Sequence, residues 1–431
     1  MASITDVPGV LVGHAQNDRG LTGCTVVLTM DGAVAGVDVR GSAPGTRETD
    51  LMRPCNLVER VHAVVLAGGS AYGLDAACGA MEFLEERGVG FATGFGVVPI
   101  VGAAVIFDLN VGDPRVRPDR RMGHAACAAA SADPPLEGNA GAGLGATIGK
   151  LWGFAHAMKG GVGTWAMNLP LHAERESGPV VVGAIVVVNA LGDVVDPVAG
   201  QVIAGAYDRA ARRFLKQAPA APAHPGWASP LDVASGTARD AHVDADVDCD
   251  ARSRGRGRGR GDGHGHAGAD TVTGTHADVR AGSDGGPDGD SDRDAQANGC
   301  AQAGATADIS ACAEASRLHA GPCSRAFRGF GANTTLAVVA TNAGLDKEGA
   351  NKVAQMAHDG LARVIRPVHT MYDGDVVFAL STGGRPFTGN RAADITALGA
   401  AAADAVAVAV VRAVKAATAA GGVPAARDIG A

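Results

Sequence analysis

Between about residues 217 and 325 the chain stops resembling a sequence that folds. Alanine and proline give way to Asp, Arg, Gly and His, with SRGRGRGRGDGHGH (253 to 266) and GSDGGPDGDSD (282 to 292) as extremes. So few large apolar side chains cannot offset the entropy of ordering the backbone, and the composition predicts a disordered, solvated insertion. Any core must therefore be built from about 1 to 216 and about 326 to 431, closing on each other across the insertion. A loop this long would ordinarily argue against one domain, but here composition accounts for it. Arg-Gly alternation suits loose RNA contact and the Asp-Gly run faintly resembles calcium repeats, yet sustained period and aromatic partners are missing. The six histidines of the segment need no metal.

Both flanks have the texture of an α/β domain. Cys24 to Met30, Ala63 to Ala67, Val180 to Asn189, Thr335 to Ala340 and Asp375 to Ser381 are short, β-branched runs bounded by turn residues, the pattern of buried strands. Ala71 to Arg87 reads as a helix with Leu74, Ala77, Cys78, Met81 and Leu84 on one face. Leu345 to Val364 reads as a second, with Asp346 at its positive end, and Ala392 to Ala419 as a long alanine-rich helix suited to close packing on a sheet. Strand and helix alternate on both sides of the insertion, which predicts one α/β domain interrupted by a loop.

Composition excludes some functions. With 46% hydrophobic residues, 19% charged and a net charge of -8, this is core-forming material and not a basic nucleic-acid binder. The start MASITDVPGVLVGHAQNDRG has no basic region followed by an apolar run, and no stretch of about 18 uncharged apolar residues suggests a membrane span, so cytoplasm is expected. The eight cysteines form no CxxC pair; reduced thiols are expected, without a disulfide framework or zinc site. A cytoplasmic chain also removes glycosylation as a reading of Asn333-Thr334-Thr335.

Two readings of GANTTLAVVAT (331 to 341) remain. Thr-Thr at the start of a strand is ordinary β-propensity. Alternatively, Thr334 is a nucleophile. A threonine hydroxyl is weak alone, and one solution places it at a chain N-terminus where its own α-amine, pKa about 8, serves as base. An internal threonine reaches that state if its hydroxyl attacks the preceding carbonyl, here that of Asn333, and the ester is hydrolysed. Flexible Gly-Ala before the bond and a rigid strand after it would favour the geometry.

Eight blocks, in order, carry a resemblance: TDVPGVLVGHAQN (5 to 17), VDVRGSAPGTRETDLM (37 to 52), AGGSAYGLDAACG (67 to 79), VVPIVGAAVIFDLNVGD (97 to 113), GNAGAGLGATIGK (138 to 150), GAIVVVNALGDVVDP (183 to 197), NTTLAVVATNA (333 to 343) and YDGDVVFALSTG (372 to 383). Together they resemble the DmpA-type family of self-cleaving N-terminal-nucleophile hydrolases, which includes L-aminopeptidase/D-esterases, β-peptidyl aminopeptidases and nylon-oligomer hydrolases. The likeness spans everything except the insertion. It implies a four-layer αββα sandwich and cleavage at Asn333-Thr334 into an α chain (1 to 333) and a β chain (334 to 431) headed by Thr334. It also implies hydrolysis of small peptides or amides, an assembly of identical subunits, often a tetramer, and neither metal nor organic cofactor.

Site residues follow from the same resemblance. Asn189, which alone reads equally as a turn residue closing a strand, matches an asparagine that stabilises the oxyanion. Lys150, otherwise a solvated loop lysine, matches a lysine beside the nucleophile. Asp373 and Asp375, otherwise an acidic turn, match carboxylates that hydrogen-bond the nucleophile's hydroxyl and amine; on a strand, positions i and i+2 would share a face. Asn-Thr at the junction resembles the nylon-oligomer hydrolases, whereas serine after glycine marks the aminopeptidase members. A tyrosine of some nylon-oligomer hydrolases is replaced here by Phe107, and Tyr72 is expected to serve packing. An acetyltransferase acting on ornithine shares the self-cleaving logic, but its blocks differ. An RNA-associated role on a retired hydrolase scaffold is the non-enzymatic alternative.

Overall fold

The computed structural model describes residues 1–169, 179–215, 333–385 and 390–429. The predicted insertion and the Gly331-Ala332 pair lie outside the described residues.

Nine strands form one sheet: β1 (Leu11–Asn17), β2 (Thr22–Val39), β3 (Thr46–Arg47), β4 (Arg60–Ala67), β5 (Val101–Val105), β6 (Gly161–Leu169), β7 (Val180–Asn189), β8 (Thr334–Ala343) and β9 (Val376–Arg385). Their order is β6-β7-β8-β9-β2-β4-β5-β3, with β1 also on β2. The β7–β8 ladder is antiparallel and joins the two flanks of the insertion directly. Among the described residues four α-helices accompany them: α1 (Ala76–Glu85), α2 (Arg120–Ala128), α3 (Lys347–Val364) and α4 (Arg391–Ala416).

The layering follows from strand periodicity. Along β7, Val182, Ala184 and Val186 belong to a cluster with α3 and α4, while Val181, Ile185 and Val187 belong to another, as the two-residue repeat of a strand requires. β2 divides in the same way: Val27 joins Val187, Leu336 and Phe378 in that second cluster, and Cys24, Val26 and Leu28 face α1 and α2 in a third. Three apolar layers separate helices, sheet half, sheet half and helices, giving the αββα sandwich expected. The 18-residue β2 belongs to both halves, pairing with β4 on one side and β9 on the other, with a register break between Leu28 and Ala33. Such a break bends a strand and lets one sheet fold over itself.

The helices refine the sequence reading. Asp346 caps α3, its carboxylate accepting from Gly349 N–H at 2.7 Å, as expected. The segment from Ala71 is not one helix. Gly69 and Ser70 take left-handed φ values of 79° and 54°, a 3₁₀ turn follows over Ser70–Asp75, and α1 begins only at Ala76. Two of the expected face residues, Ala77 and Leu84, are fully buried, joined by Ala76, Ala80 and Phe83, while Cys78 and Met81 are half-buried against the Arg47 guanidinium. α4 is long and apolar enough to cross a membrane by length and composition, but 67% of its most apolar stretch is buried inside the protein. Its fit is close: a Cβ on Gly163 of β6 would lie 2.2 Å from the Ala409 carbonyl oxygen, and one on Gly360 of α3 would lie 2.2 Å from that of Ala403. Cys24, Cys55, Cys78 and Cys127 are free thiols, Cys24 and Cys127 buried.

Candidate active site

Strand register assembles the site. Asn189, the last residue of β7, pairs with Thr334, the first of β8. On the other flank of β8, Asn333 bridges to Asp373, which brings the turn before β9 to the same strand end. Lys150 is anchored by its N–H on the Leu191 carbonyl, just past β7. All of Thr334, Asn333, Asn189, Lys150, Asp373 and Asp375, widely separated in sequence, therefore meet in one buried place.

At its centre is an intact peptide bond. Thr334 Oγ donates to the carbonyl oxygen of Asn333 in a very short contact. The same oxygen accepts from Gly374 N–H at 3.0 Å. Thr334 itself is only 4% exposed.

Asn189 is clamped from several sides. Its Oδ1 accepts from Lys150 Nζ at 3.0 Å and Thr147 N–H at 3.0 Å, and its Nδ2 donates to the Phe107 carbonyl at 3.1 Å. Residue 107 thus orients Asn189 through its main chain, whatever side chain it carries. Lys150 Nζ also donates to the Asn189 carbonyl at 3.1 Å. Burial pushes the Lys150 ammonium down to about 7, against the opposing pull of the nearby Asp373 carboxylate. Lys150 is therefore no solvated loop lysine.

The two carboxylates differ from expectation. β9 begins at Val376, so both sit in the preceding turn and not on one strand face. Asp373 accepts from Thr370 N–H at 2.8 Å, Thr370 Oγ at 2.6 Å and Leu191 N–H at 3.4 Å. Asp375 accepts from Thr335 N–H at 2.6 Å and from His369 N–H at 3.1 Å, with His369 Nδ1 2.8 Å from the same oxygen. Neither bonds Thr334 Oγ, whose hydroxyl is turned onto the Asn333 carbonyl instead. Burial, followed by the Asp375 charge, raises the Asp373 carboxyl above its ordinary range.

Sequence reasoning missed two contributors, Gly374 and His369, and a second buried lysine, Lys159. Gly374 lies between the two aspartates of Tyr372-Asp373-Gly374-Asp375, where its residue type gives no sign of a main-chain role. His369, at a φ of 55°, supports Asp375 and packs edge-on against the buried His358, whose ring burial pushes down to about 4. A histidine four residues before an acidic turn was the available signal. Lys159, wholly buried, donates to the Leu144 and Ala146 carbonyls at 2.6 and 2.8 Å, and its position in the apolar run AMKGG was the clue. Tyr72 corrects an expectation: it is 61% exposed, and the structure pairs it with the Arg117 guanidinium 3.8 Å above its ring.

Comparison with known proteins identifies the family of the chain. The family model of peptidase family S58 matches residues 2–427. An uncharacterized aminopeptidase of Mycobacterium tuberculosis is 38% identical over 446 residues, covering 100% of this chain and 98% of the relative. A 6-aminohexanoate-oligomer endohydrolase of Paenarthrobacter ureafaciens is 37% identical over 204 residues, 47% of this chain and 52% of that protein. Among solved structures, a Burkholderia β-aminopeptidase is similar with a TM-score of 0.55 at 19% identity, covering 100% of this chain and 94% of its own. The L-aminopeptidase D-Ala-esterase/amidase of Ochrobactrum anthropi, described as a variant of the Ntn hydrolase fold, is similar with a TM-score of 0.56 at 15% identity, covering 98% and 88%. At such identities the structures speak to the fold alone.

Proposed function

We infer that this chain, which belongs to peptidase family S58, is a hydrolase of small peptides or amides that cuts itself at Asn333-Thr334 and uses the freed Thr334 as its nucleophile. The observation that carries this is the Thr334 hydroxyl lying on the carbonyl of the preceding residue, inside a buried cluster of Lys150, Asn189 and two aspartates. Attack by Oγ on that carbonyl carbon and transfer of the hydroxyl proton to the Thr334 nitrogen convert the amide into an ester with a free amine. Water then hydrolyses the ester, returning a proton to Oγ and leaving a carboxylate on Asn333.

The mature chain repeats the chemistry on substrate. Oγ attacks an acyl carbon, the α-amine takes its proton and passes it to the leaving amine, and water releases the acyl group. Asn189, fixed opposite Thr334, is assigned to steady the oxyanion, an interaction worth about 3 kcal/mol per donor in such sites. Lys150 in its cationic form would lower the amine's pKa, keeping it a base near neutrality. Asp373 and Asp375 would receive the new ammonium and hydroxyl once cleavage frees Thr334 to turn.

Aminopeptidase-like release of N-terminal residues is the preferred activity, because the full-length likeness is to a protein named an aminopeptidase. The Asn-Thr junction and the 204-residue likeness favour a second reading, endo-cleavage of 6-aminohexanoate oligomers. Assembly as a homo-oligomer, by resemblance a tetramer, and a cytoplasmic location complete the proposal. Intact mass of the purified protein tests the core of it: two chains joining at Asn333-Thr334 are expected from wild type and one full-length species from Thr334→Ala. A stable single species from wild type would overturn it. Aminoacyl p-nitroanilides assayed beside aminohexanoate oligomers separate the two substrate classes.

A further inference from the structure

The geometry points to Gly374 as a catalytic residue of self-cleavage: its main-chain N–H is the oxyanion donor for the Asn333 carbonyl, and its missing side chain is the space that the Thr334 hydroxyl occupies. The inference rests on the self-cleavage proposed above and adds a component to it.

Two independent observations support it. The first is the hydrogen bond from Gly374 N–H to the Asn333 oxygen, 3.0 Å, on the atom that becomes negatively charged when Oγ attacks. A donor already aimed at that oxygen in a buried site needs no reorganisation as charge develops, and this is the source of its catalytic worth. The second is steric. A Cβ built on Gly374 would lie 2.8 Å from Thr334 Oγ and 2.6 Å from the Ala43 carbonyl oxygen. Real Cβ atoms do not sit so close, so any side chain at 374 would displace the nucleophile, the Ala43 main chain or the donor. The backbone there does not call for glycine, because Gly374 is not among the residues with positive φ. Space beside the nucleophile is therefore what requires it.

Its placement is held from both sides. Asp373, one residue before, is fixed by Thr370 N–H and Oγ, and its carbonyl accepts from Ala43 N–H at 2.9 Å. Asp375, one residue after, is fixed on Thr335 N–H at 2.6 Å and on His369. The two aspartates thus hold a rigid frame around a peptide N–H as well as offering carboxylates. In the step itself, the Oγ–C bond forms, the carbonyl pair moves onto the oxygen facing Gly374 N–H, the C–N bond breaks, and the Oγ proton ends on the Thr334 nitrogen. Asn189, with its Nδ2 on the Phe107 carbonyl, is left to act on substrate acyl groups.

Two measurements test this. Gly374→Ala keeps a main-chain N–H, but its Cβ should push that donor and the Thr334 hydroxyl out of line with the Asn333 carbonyl, slowing conversion of precursor to two chains by about 100-fold or more, the range for one oxyanion donor put out of action, read by intact mass over time. Its melting temperature should fall below that of the Thr334→Ala precursor, because the new Cβ meets the Ala43 carbonyl oxygen at 2.6 Å, so maturation is followed on the folded fraction. A folded Gly374→Ala that matures at the wild-type rate overturns the inference, whereas a wild type that never matures overturns self-cleavage itself. If Gly374→Ala does not fold, amide exchange across 372 to 376 decides. The Gly374 N–H should exchange at least about tenfold more slowly in the Thr334→Ala precursor than in cleaved wild type, since its acceptor carbonyl is bonded in place only in the former. Equal exchange in the two would sink the idea.

Discussion

Lys150 and Lys159 are nine positions apart, both buried, and both ammonium groups are pushed down to about 7. Their partners differ. Lys159 donates to the Leu144 and Ala146 carbonyls and lies near Asp108, whose carboxylate accepts from Thr22 Oγ at 2.7 Å and Gly69 N–H at 2.7 Å. Every group in that cluster ties one piece of main chain to another. Lys150 donates instead to both oxygens of Asn189, the residue in register with Thr334, and feels Asp373 across the site. A perturbed buried lysine is thus no signature of catalysis by itself. What separates the two is whether the partners lead to a reactive bond.

The sharpest break of this comparison is at the bond. Thr334→Ala is expected to abolish maturation and hydrolysis together while leaving the fold intact, as a single full-length mass and an unchanged melting profile would show. Next, Lys150→Met should slow maturation by about 100-fold or more, in the range of losing a positioned polar group in a buried site. Time-resolved intact mass checks it, and maturation at the wild-type rate would place Lys150 with Lys159 among the structural lysines. Lys159→Met should do the reverse. Removing one member of a buried charged cluster costs about 3 kcal/mol or more, read from urea denaturation in the Thr334→Ala background. Maturation of the folded fraction should remain within about threefold of wild type, a change worth less than about 1 kcal/mol of barrier.

How much of this was legible in the sequence depends on the range of the interaction. Strand identity was local, so Val180 to Asn189 matched to the residue and β8 differed by one residue at its start and three at its end. The Asp346 cap was likewise written in its neighbours. The long segment from Ala71 failed because its start is set by Gly69 and Ser70 in left-handed conformations, and Gly69 N–H is held by Asp108, 39 residues away. At the site, the ordered blocks placed Thr334, Asn189, Lys150, Asp373 and Asp375, but they named side chains only. Gly374 and the Phe107 carbonyl act through the main chain, which no residue type announces. The hydrogen bonds expected of the aspartates to the nucleophile were absent because their carboxylates are taken up by Thr370, Leu191, Thr335 and His369 while the Thr334 hydroxyl turns onto Asn333.

The smallest effect separates the two lysines by titration. An ordinary lysine titrates at 10.5, and each of these, when folded, does so at about 7. Between those values the unfolded chain binds more protons than the folded one, so stability rises with pH from about 7 upward, by about 1 kcal/mol per pH unit for each lysine. The buried thiols oppose this. Burial raises Cys24 and Cys127 above their ordinary 9.0, Cys127 to about 12, so above pH 9 the unfolded chain sheds thiol protons that the folded chain keeps. A rise between pH 7 and 9 that flattens above 9 is therefore expected for the Thr334→Ala precursor in urea. Asp108 and Asp373, whose carboxyls burial raises, pull in the opposite sense from lower pH, which makes the difference between variants the clean measurement. Lys159→Met on that background should remove at least half of the rise, because one of the two depressed ammonium groups is gone and its charge no longer lowers Lys150. An unchanged slope would mean that Lys159 keeps its proton throughout, held by the Leu144 and Ala146 carbonyls and Asp108. The contrast between the two lysines would then extend from their partners to their charge.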